Sequence, residues 1–476
     1  MDEVRLTALL RGWDARGGSL KAAMAAAVRE LIGRGDLLSG ERLPSERKLA
    51  DALAVSRGTV VAAYDELRAE DLVRSRRGSG TVVAGAPLRV GAPTPRAGLS
   101  NVLAPGILGV DLGPSAIDLR VAGWSGADDL PRAAFVDASR KLAASPDGHG
   151  CWPAGLPALR ASIAARMTSQ GLATEPDEVL VTTGAQQAIH LVAQLALRPG
   201  DAVATEAVTY LGALDVFAAA GARTIALPTD RHGPDTSNVL ARSTARVLYV
   251  MPSFNNPTGI VTSWSRREGM LRDAATHGVL VVDDQAVIDT WFGDAMPPML
   301  GSLAEPGRVI TVGSVSKIIW GGLRVGWIRA ARSLIDPLTR RKGLSDLGSS
   351  VPSQLVAAYL VDRLDDVKEA RLPEIRRRRD AMVEELHARL PEWTFAVPDG
   401  GLALWVDIGV DATAFASVAA AYGVGVLAGV ASSADGSHTT HLRLGYGLPP
   451  ERLVEGVRRL ASAWAGRESA GLQAVV

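Results

Sequence analysis

The stretch Thr-Val-Gly-Ser-Val-Ser-Lys-Ile-Ile-Trp-Gly-Gly-Leu-Arg-Val-Gly-Trp, residues 311–327, constrains this chain more than any other. It follows the β-type run Val309-Ile310-Thr311-Val312 and breaks into a Gly/Ser turn holding a single lysine, Lys317. Seven residues on, after Gly321-Gly322, comes Arg324. A lysine at the end of a buried strand is costly unless its charge is used or its pKa is lowered. A lysine with lowered pKa is a nucleophile that forms Schiff bases with aldehydes. The hydroxyls of Ser314 and Ser316 and the nearby arginine suit a phosphate monoester. Pyridoxal phosphate, PLP, combines an aldehyde with such a phosphate. Read alone, a Ser-x-x-Lys motif is more often a surface turn with a solvated lysine, so the rest of the chain has to supply the site.

At 476 residues the chain exceeds one ordinary domain. With 21% charged and 47% hydrophobic residues it reads as a globular protein with ample core. Its formal net charge of +0 gives it no general pull on nucleic acid, so any such binding must be local. The lone cysteine, Cys151, excludes an internal disulfide and suits a reducing cytoplasm. The first residues carry Asp2, Glu3 and Arg5 and no apolar signal core. No run of about 18 uncharged apolar residues suggests a membrane span.

Residues 18–35 have helical spacing, with Leu20, Met24, Val28 and Leu31 on one face. Ser45 and Ser56 stand where they would cap two further helices, the second burying Val60, Tyr64 and Leu67. Residues 72–83 read as two short strands around a glycine turn. This is the order of a winged helix-turn-helix, DNA-binding by way of its third helix. Ser56, Arg57 and Thr59 would approach base edges and phosphates, and the hairpin arginines Arg76 and Arg77 would track the backbone. Charge alone argues weakly for this: residues 1–84 hold 14 Lys/Arg and 12 Asp/Glu, a net of +2. Residues 84–115, with Pro87, Pro93, Pro95, Pro105 and Pro114, read as an interdomain linker.

From Ile117 strands and helices alternate, which predicts a mainly parallel sheet with helices on both faces. Ligands in such sheets bind at the carboxyl ends of strands, and the informative residues stand there. Thr183-Gly184-Ala185-Gln186 opens a helix whose free N–H groups suit a phosphate. Tyr210 is available to stack on a ring. Asn256, in Asn-Asn-Pro-Thr-Gly, could donate to a phenolic oxygen. Asp284 ends an apolar strand, where a protonated pyridine nitrogen would satisfy it. Arg443, inside the run His441–Tyr446, could clamp a carboxylate.

These residues carry two resemblances. Residues 43–83, LPSERKLADALAVSRGTVVAAYDELRAEDLVRSRRGSGTVV, resemble the GntR-type winged helix-turn-helix. The resemblance implies that Arg47, Ser56, Arg57, Thr59 and Gly78 sit at DNA-contacting positions; Val61 stands where some relatives carry an arginine. Residues from about 117 to 465 resemble a fold-type I PLP-dependent aminotransferase, and the whole chain resembles the MocR family, which joins the two. The implied architecture is a winged helix over 1–84, a linker over 85–115 and an α/β effector domain over 116–476 with a smaller α+β C-terminal part. Lys317 is implied as the cofactor lysine, Asp284 as the partner of the pyridine nitrogen, Asn256 of the phenolate, and Tyr210 as the stacking ring. Ala185, Gln186, Ser314 and Arg324 are implied to hold the phosphate, and Arg443 the ligand carboxylate. A homodimer reading two operator half-sites is implied as well.

There are two departures. No tyrosine follows Asp284 in Gln285-Ala286-Val287-Ile288, and none stands in His149-Gly150-Cys151-Trp152-Pro153. Both hydroxyls would have touched the cofactor, so the resemblance supports binding more than turnover. Three functions are compatible with this pattern: a regulator sensing PLP, or an amine through PLP; a working aminotransferase with a DNA-binding appendage; and a regulator whose large domain only dimerises. The intact N-terminal motif favours a regulator, and the complete set of cofactor residues disfavours the third.

Overall fold

The structure is a computed structural model, and it describes residues 6–7, 9–10, 13, 19–34, 37, 42–70, 72–76, 80–83, 115–123, 131–144, 149–293, 298–305 and 307–467. The chain forms two compact units, Met1–Pro95 and Arg96–Val476. The expected linker therefore lies almost wholly outside the described residues, as do Arg77 and Gly78.

In the N-terminal unit the expected elements form in the expected order: α1 (Leu20–Arg34), α2 (Glu46–Leu53), α3 (Arg57–Ala69), β1 (Val73–Arg76) and β2 (Gly80–Val83), the last two antiparallel. Serine hydroxyls start both short helices. Lys48 N donates to Ser45 Oγ at 3.4 Å and Thr59 N to Ser56 Oγ at 3.1 Å, satisfying amides that the first turn leaves orphaned. Met24, Val28 and Leu31 of α1 meet Leu49, Val60, Tyr64 and Leu67 in one apolar cluster. The buried Tyr64 hydroxyl donates to the Pro44 carbonyl, tying α3 to the chain that enters α2.

Among the described residues of the second unit, β3 (Ile117–Asp118), α4 (Arg132–Ala144) and α5 (Pro157–Ser169) come first. A seven-stranded sheet comes next, built from β4 (Val179–Thr182), β5 (Ala202–Glu206), β6 (Arg223–Leu227), β7 (Ala245–Val250), β8 (Leu280–Asp284), β9 (Val309–Ser314) and β10 (Gly326–Arg329), in the order β4-β10-β9-β8-β7-β5-β6. All pairs are parallel except those of β10, which runs antiparallel between β4 and β9. Successive residues of one strand serve opposite layers. Leu180, Tyr249, Val282 and Ile310 pack with α6 (Ala185–Ala196), α7 (Leu211–Ala219) and α9 (Arg332–Asp346). On the other face Leu248, Val281 and Val309 pack with α8 (Trp264–His277), while Val179 and Val181 pack with α5 and α10 (Val351–Val361). Burial on both faces is why these strands read as unbroken apolar runs.

The 26-residue helix α11 (Leu364–Arg389) leads to a smaller antiparallel sheet. Its strands are β11 (Thr394–Phe395), β12 (Ala403–Asp407), β14 (Leu427–Ala428) and β15 (His441–Gly445), in the order β11-β12-β15-β14. Leu404, Val406, Leu442 and Leu444 face α12 (Ala412–Ala421) and α13 (Pro450–Ala465). By alternation Trp405 and Arg443, a cross-strand pair, share the opposite face. A two-residue strand, β13 (Val424–Gly425), pairs in parallel with β3 and brings the start of the unit to this sheet. Among the described residues no helix is long and apolar enough to cross a membrane.

Arg267 of α8 fixes the loop after β7. Fully buried, it donates from Nε to Thr262 O (2.9 Å), from Nη1 to Pro298 O (2.9 Å) and from Nη2 to Pro252 O (2.6 Å). The turn carrying Asn256 lies between two of these acceptors. Arg267→Met should lower stability by at least about 3 kcal/mol, because each orphaned buried carbonyl costs about 1–3 kcal/mol; chemical denaturation followed by circular dichroism measures this.

Candidate functional site

The parallel strands all end at one side of the sheet, so the residues just beyond them converge. Gly184, Ala185 and Gln186 after β4, Tyr210 after β5, Met251 and Asn256 after β7, Asp284 with Ala286 and Val287 at β8, and Ser314, Ser316, Lys317 and Arg324 after β9 line one cavity of about 120 Å³. It unites all eight residues singled out for the cofactor: Lys317, Asp284, Asn256, Tyr210, Ala185, Gln186, Ser314 and Arg324.

At one end α6 begins at Ala185, with Gly184 before it at φ 125°. That backbone favours glycine, and a Cβ there would lie 3.4 Å from the Arg324 guanidinium. Ser314 Oγ lies 2.9 Å from Ser316 Oγ, beside the same arginine's loop. Helix-start N–H groups, two hydroxyls and the Arg324 guanidinium make a cradle for a dianion. The Gln186 amide Nε2 instead donates to Gly212 O at 2.9 Å, and its Oε1 is buried without a partner.

At the other end stands Asp284. Burial holds its carboxyl above the usual range, although the Tyr249 hydroxyl donates to Oδ2 at 2.7 Å and Ala286 N to Oδ1 at 2.9 Å. Tyr249 lies within β7, just before its last residue, and sequence reasoning missed it: an aromatic in a buried strand carries no signal that separates it from core. Asp283, the preceding residue, points the other way. Burial pushes it up to about 6, and it accepts from Gln285 Nε2 (2.6 Å) and Leu300 N (3.0 Å).

Lys317 Nζ donates to the Ala122 carbonyl at 2.8 Å. Burial of the amine lowers its pKa to about 8, the Arg443 cation adds to this, Asp284 opposes it, and Arg324 lowers it further. Tyr210 is the residue just before α7, and burial pushes its hydroxyl up to about 12. Arg443 is 6% exposed; its Nη1 donates to Arg120 O at 2.9 Å and its Nε has no partner. Burial lowers it to about 10. Two non-glycine residues near the cavity hold left-handed backbones, Phe254 at φ 63° and Arg324 at φ 53°, a strain that persists only where packing over-determines it.

The N-terminal residues singled out for DNA form a separate set. Arg47 lies in the first turn of α2 and Arg57 opens α3, with Arg57 exposed. Ser56 and Thr59 share a 2.8 Å contact between hydroxyls, so both are engaged in the helix start itself. Arg76 ends β1, with its side chain outside the described set, as Arg77 and Gly78 are altogether.

The Lys317 pKa has a direct consequence. Between about 8 and the ordinary 10.5 the folded protein holds this amine neutral while an unfolded chain holds it protonated. Trapping of Lys317 by a small aldehyde and cyanoborohydride should therefore rise with pH through about 8, well below the pH at which exposed lysines respond. Peptide mass spectrometry across a pH series measures it.

Residues 125–460 match the family described as aminotransferase class I and II, and residues 20–83 match that described as bacterial regulatory proteins, gntR family. The chain is 30% identical over 467 residues to the probable rhizopine catabolism regulatory protein MocR of Rhizobium meliloti, covering 93% of each. It is 29% identical over 396 residues to the pyridoxine biosynthesis transcriptional regulator PdxR of Corynebacterium glutamicum, covering 81% of this chain and 82% of that one. The large unit resembles the crystal structure of LysN, an α-aminoadipate aminotransferase from Thermus thermophilus complexed with N-(5'-phosphopyridoxyl)-L-leucine, at a TM-score of 0.70 and 31% identity over 75% of this chain and 93% of that one. A gntR-type module followed by a class I and II aminotransferase domain, matched end to end by such a regulator, means that the chain belongs to the MocR family of DNA-binding transcriptional regulators.

Proposed function

We propose that this regulator binds PLP at Lys317 and that the state of this site sets the DNA-binding behaviour of the winged-helix module. The observation that carries the reading is the single cavity in which Lys317, Asp284, Asn256 and Arg324 meet. Its polar groups match the cofactor end for end. The dianion cradle of Gly184–Gln186, Ser314 and Arg324 suits the phosphate. Asp284, buried and held by Tyr249, suits the protonated ring nitrogen. Tyr210 suits the ring face, and Asn256 the ring oxygen. When bound, PLP supplies an aldehyde that captures a primary amine and an electron-poor ring. The chain's own part is to lower the Lys317 pKa to about 8, so that the neutral amine is reached far more readily than on an exposed lysine, and to keep a carboxylate opposite the ring nitrogen. Arg443, with an unpartnered Nε, is suited to a ligand carboxylate.

PLP itself is the favoured effector over an amine, since the tyrosine missing after Asp284 leaves the site better suited to holding the cofactor than to turning it over. The likeness to a regulator named for pyridoxine biosynthesis agrees with this. A working aminotransferase is the second reading, favoured by the likeness to LysN. The domain limits 1–84, 85–115 and 116–476, and a homodimer with two winged helices on two half-sites, belong to the same proposal.

The deciding experiment titrates operator binding by apo-protein with PLP and no amine. A change in affinity supports the reading, and no change in affinity or DNA bending defeats it. Lys317→Ala should abolish both the borohydride-reducible visible chromophore and the response. For the DNA side, Arg57→Ala should weaken specific operator binding by roughly 1–3 kcal/mol if Arg57 reads a base, measured by fluorescence anisotropy at fixed salt.

A further inference from the structure

Lys317 lines the cavity and Arg443 does not, although its charge acts on the lysine; both donate to the main chain of the same short segment. Residues 115–123 run across the small subdomain as a strap. Ile117 N donates to Gly423 O (2.9 Å), Leu119 N to Gly425 O (2.8 Å), and Gly445 N to Leu119 O (2.7 Å). Four of the strap's carbonyls are held by cations. Ser115 O accepts from Arg459 (3.1 Å) and Ala116 O from Arg452 (2.7 Å), at the outer end. Arg120 O accepts from Arg443 (2.9 Å) and Ala122 O from Lys317 (2.8 Å), at the inner end.

The approach is built in. A Cβ at Gly445 would come within 2.4 Å of Val121 O, and one at Gly447 within 2.0 Å of Gly123 O, so any larger residue there would push the strap away. The turn that aims the Arg120 carbonyl is closed by Asp118, which accepts from Arg120 N (3.0 Å), Nε (2.7 Å) and Nη2 (2.8 Å).

We infer that the inner strap, residues 120–122, is an internal competitor for the ligand: its two carbonyls occupy the cations that PLP and a ligand carboxylate must take, and ligand binding releases it. This rests on the reading of Lys317 and Arg443 given above. Lys317 has one nitrogen, so a ligand that takes it removes the donor to Ala122. Arg443 prefers a carboxylate to a neutral carbonyl, since charge-assisted hydrogen bonds are the stronger ones. Buried carbonyls do not stay unpaired without cost, so the strap loosens when Lys317 turns to PLP and loosens further when Arg443 turns to a ligand carboxylate. In sequence the strap directly follows residues 84–114, which join it to the winged-helix module. Release is thereby an event at the covalent connection between sensor and reader.

Competition is reciprocal: whatever loosens the strap must tighten the ligand. Asp118 is not part of the cavity, so Asp118→Ala in the full-length apo-protein should raise PLP affinity several-fold, read from the absorbance of the bound cofactor. A merely structural role predicts weaker binding or none of this gain. Trypsin supplies the second readout, through the rate of cleavage between Arg120 and Val121 followed by mass spectrometry. Adding PLP to wild-type protein should speed that cleavage several-fold, whereas Lys317→Ala should be cut fast from the outset and show no response to PLP. Unchanged or weakened affinity in Asp118→Ala, or a cleavage rate that PLP leaves unaltered although the chromophore forms, overturns the inference and leaves PLP binding standing. If no chromophore forms in wild-type protein, the reading of the site fails and the inference fails with it.

Discussion

A carboxylate buried at the end of a central strand is the constraint around which this site is arranged. Asp284 pairs in register with Val312 of β9, one strand from the loop that bears Lys317. Left alone there it would take up a proton. The Tyr249 hydroxyl, the Ala286 amide and the Lys317 amine all favour its charged form, and burial still wins in part. Lys317 is pulled the opposite way: burial disfavours its charge most, Arg443 and Arg324 repel its proton, and Asp284 only partly holds it. Neither group is at rest in the folded protein. A ligand bringing a cation to Asp284 and an anion to Arg324 relieves both, and a site of that kind is a binding site before it is anything else.

The chain's rigidity goes into holding this arrangement. Asp283 and Asp284 are adjacent and both buried, yet face opposite layers, as strand alternation requires. Asp283 fastens the chain after the strand through Gln285 and reaches Leu300 N. Arg267, drawn toward Asp283, fastens the neighbouring loop through three carbonyls. The left-handed backbones of Phe254 and Arg324 are sustainable only between such fixed points. Phe254 is 1% exposed and its ring lies 5.2 Å from that of Trp291, so the strain at its backbone is opposed by packing on its side chain.

Most of the site was legible because an α/β sheet advertises its functional end. Apolar runs mark the strands, and the residues just past each run belong to the cavity; Ala185, Tyr210, Asn256, Asp284 and Lys317 all stand at such positions. Ser45 and Ser56 were legible as caps because a hydroxyl before a periodic segment has few other uses. Three things were not legible. Tyr249 is hidden by its strand, since its hydroxyl matters only through a neighbour 35 residues away. Strand β10 looked like the tail of the lysine motif, because Val325-Gly326-Trp327 reads the same whether it ends a loop or returns antiparallel. Arg120 and Ala122 contribute carbonyl oxygens, which every residue has, so no side chain signals them.

Gln285 bears on why such a site would sense rather than transform. It comes directly after Asp284, in the stretch 285–288 where the resemblance implies a tyrosine hydroxyl against the cofactor and none stands. Here its amide is committed to Asp283 on the far side of the sheet at 2.6 Å, and Ala286 brings only a backbone N–H, already given to Asp284. In the proposed assignment the ring oxygen is left with Asn256 as its side-chain partner, while the phosphate keeps a helix start, hydroxyls and an arginine. Grip would thus be concentrated at the phosphate and the ring nitrogen. In the same assignment the ring oxygen, whose hydrogen bonds adjust the reactivity of the adjoining carbon, would have the least support. Such an arrangement gives up transition-state stabilisation and retains ground-state binding, and ground-state occupancy is the quantity a transcriptional sensor has to report.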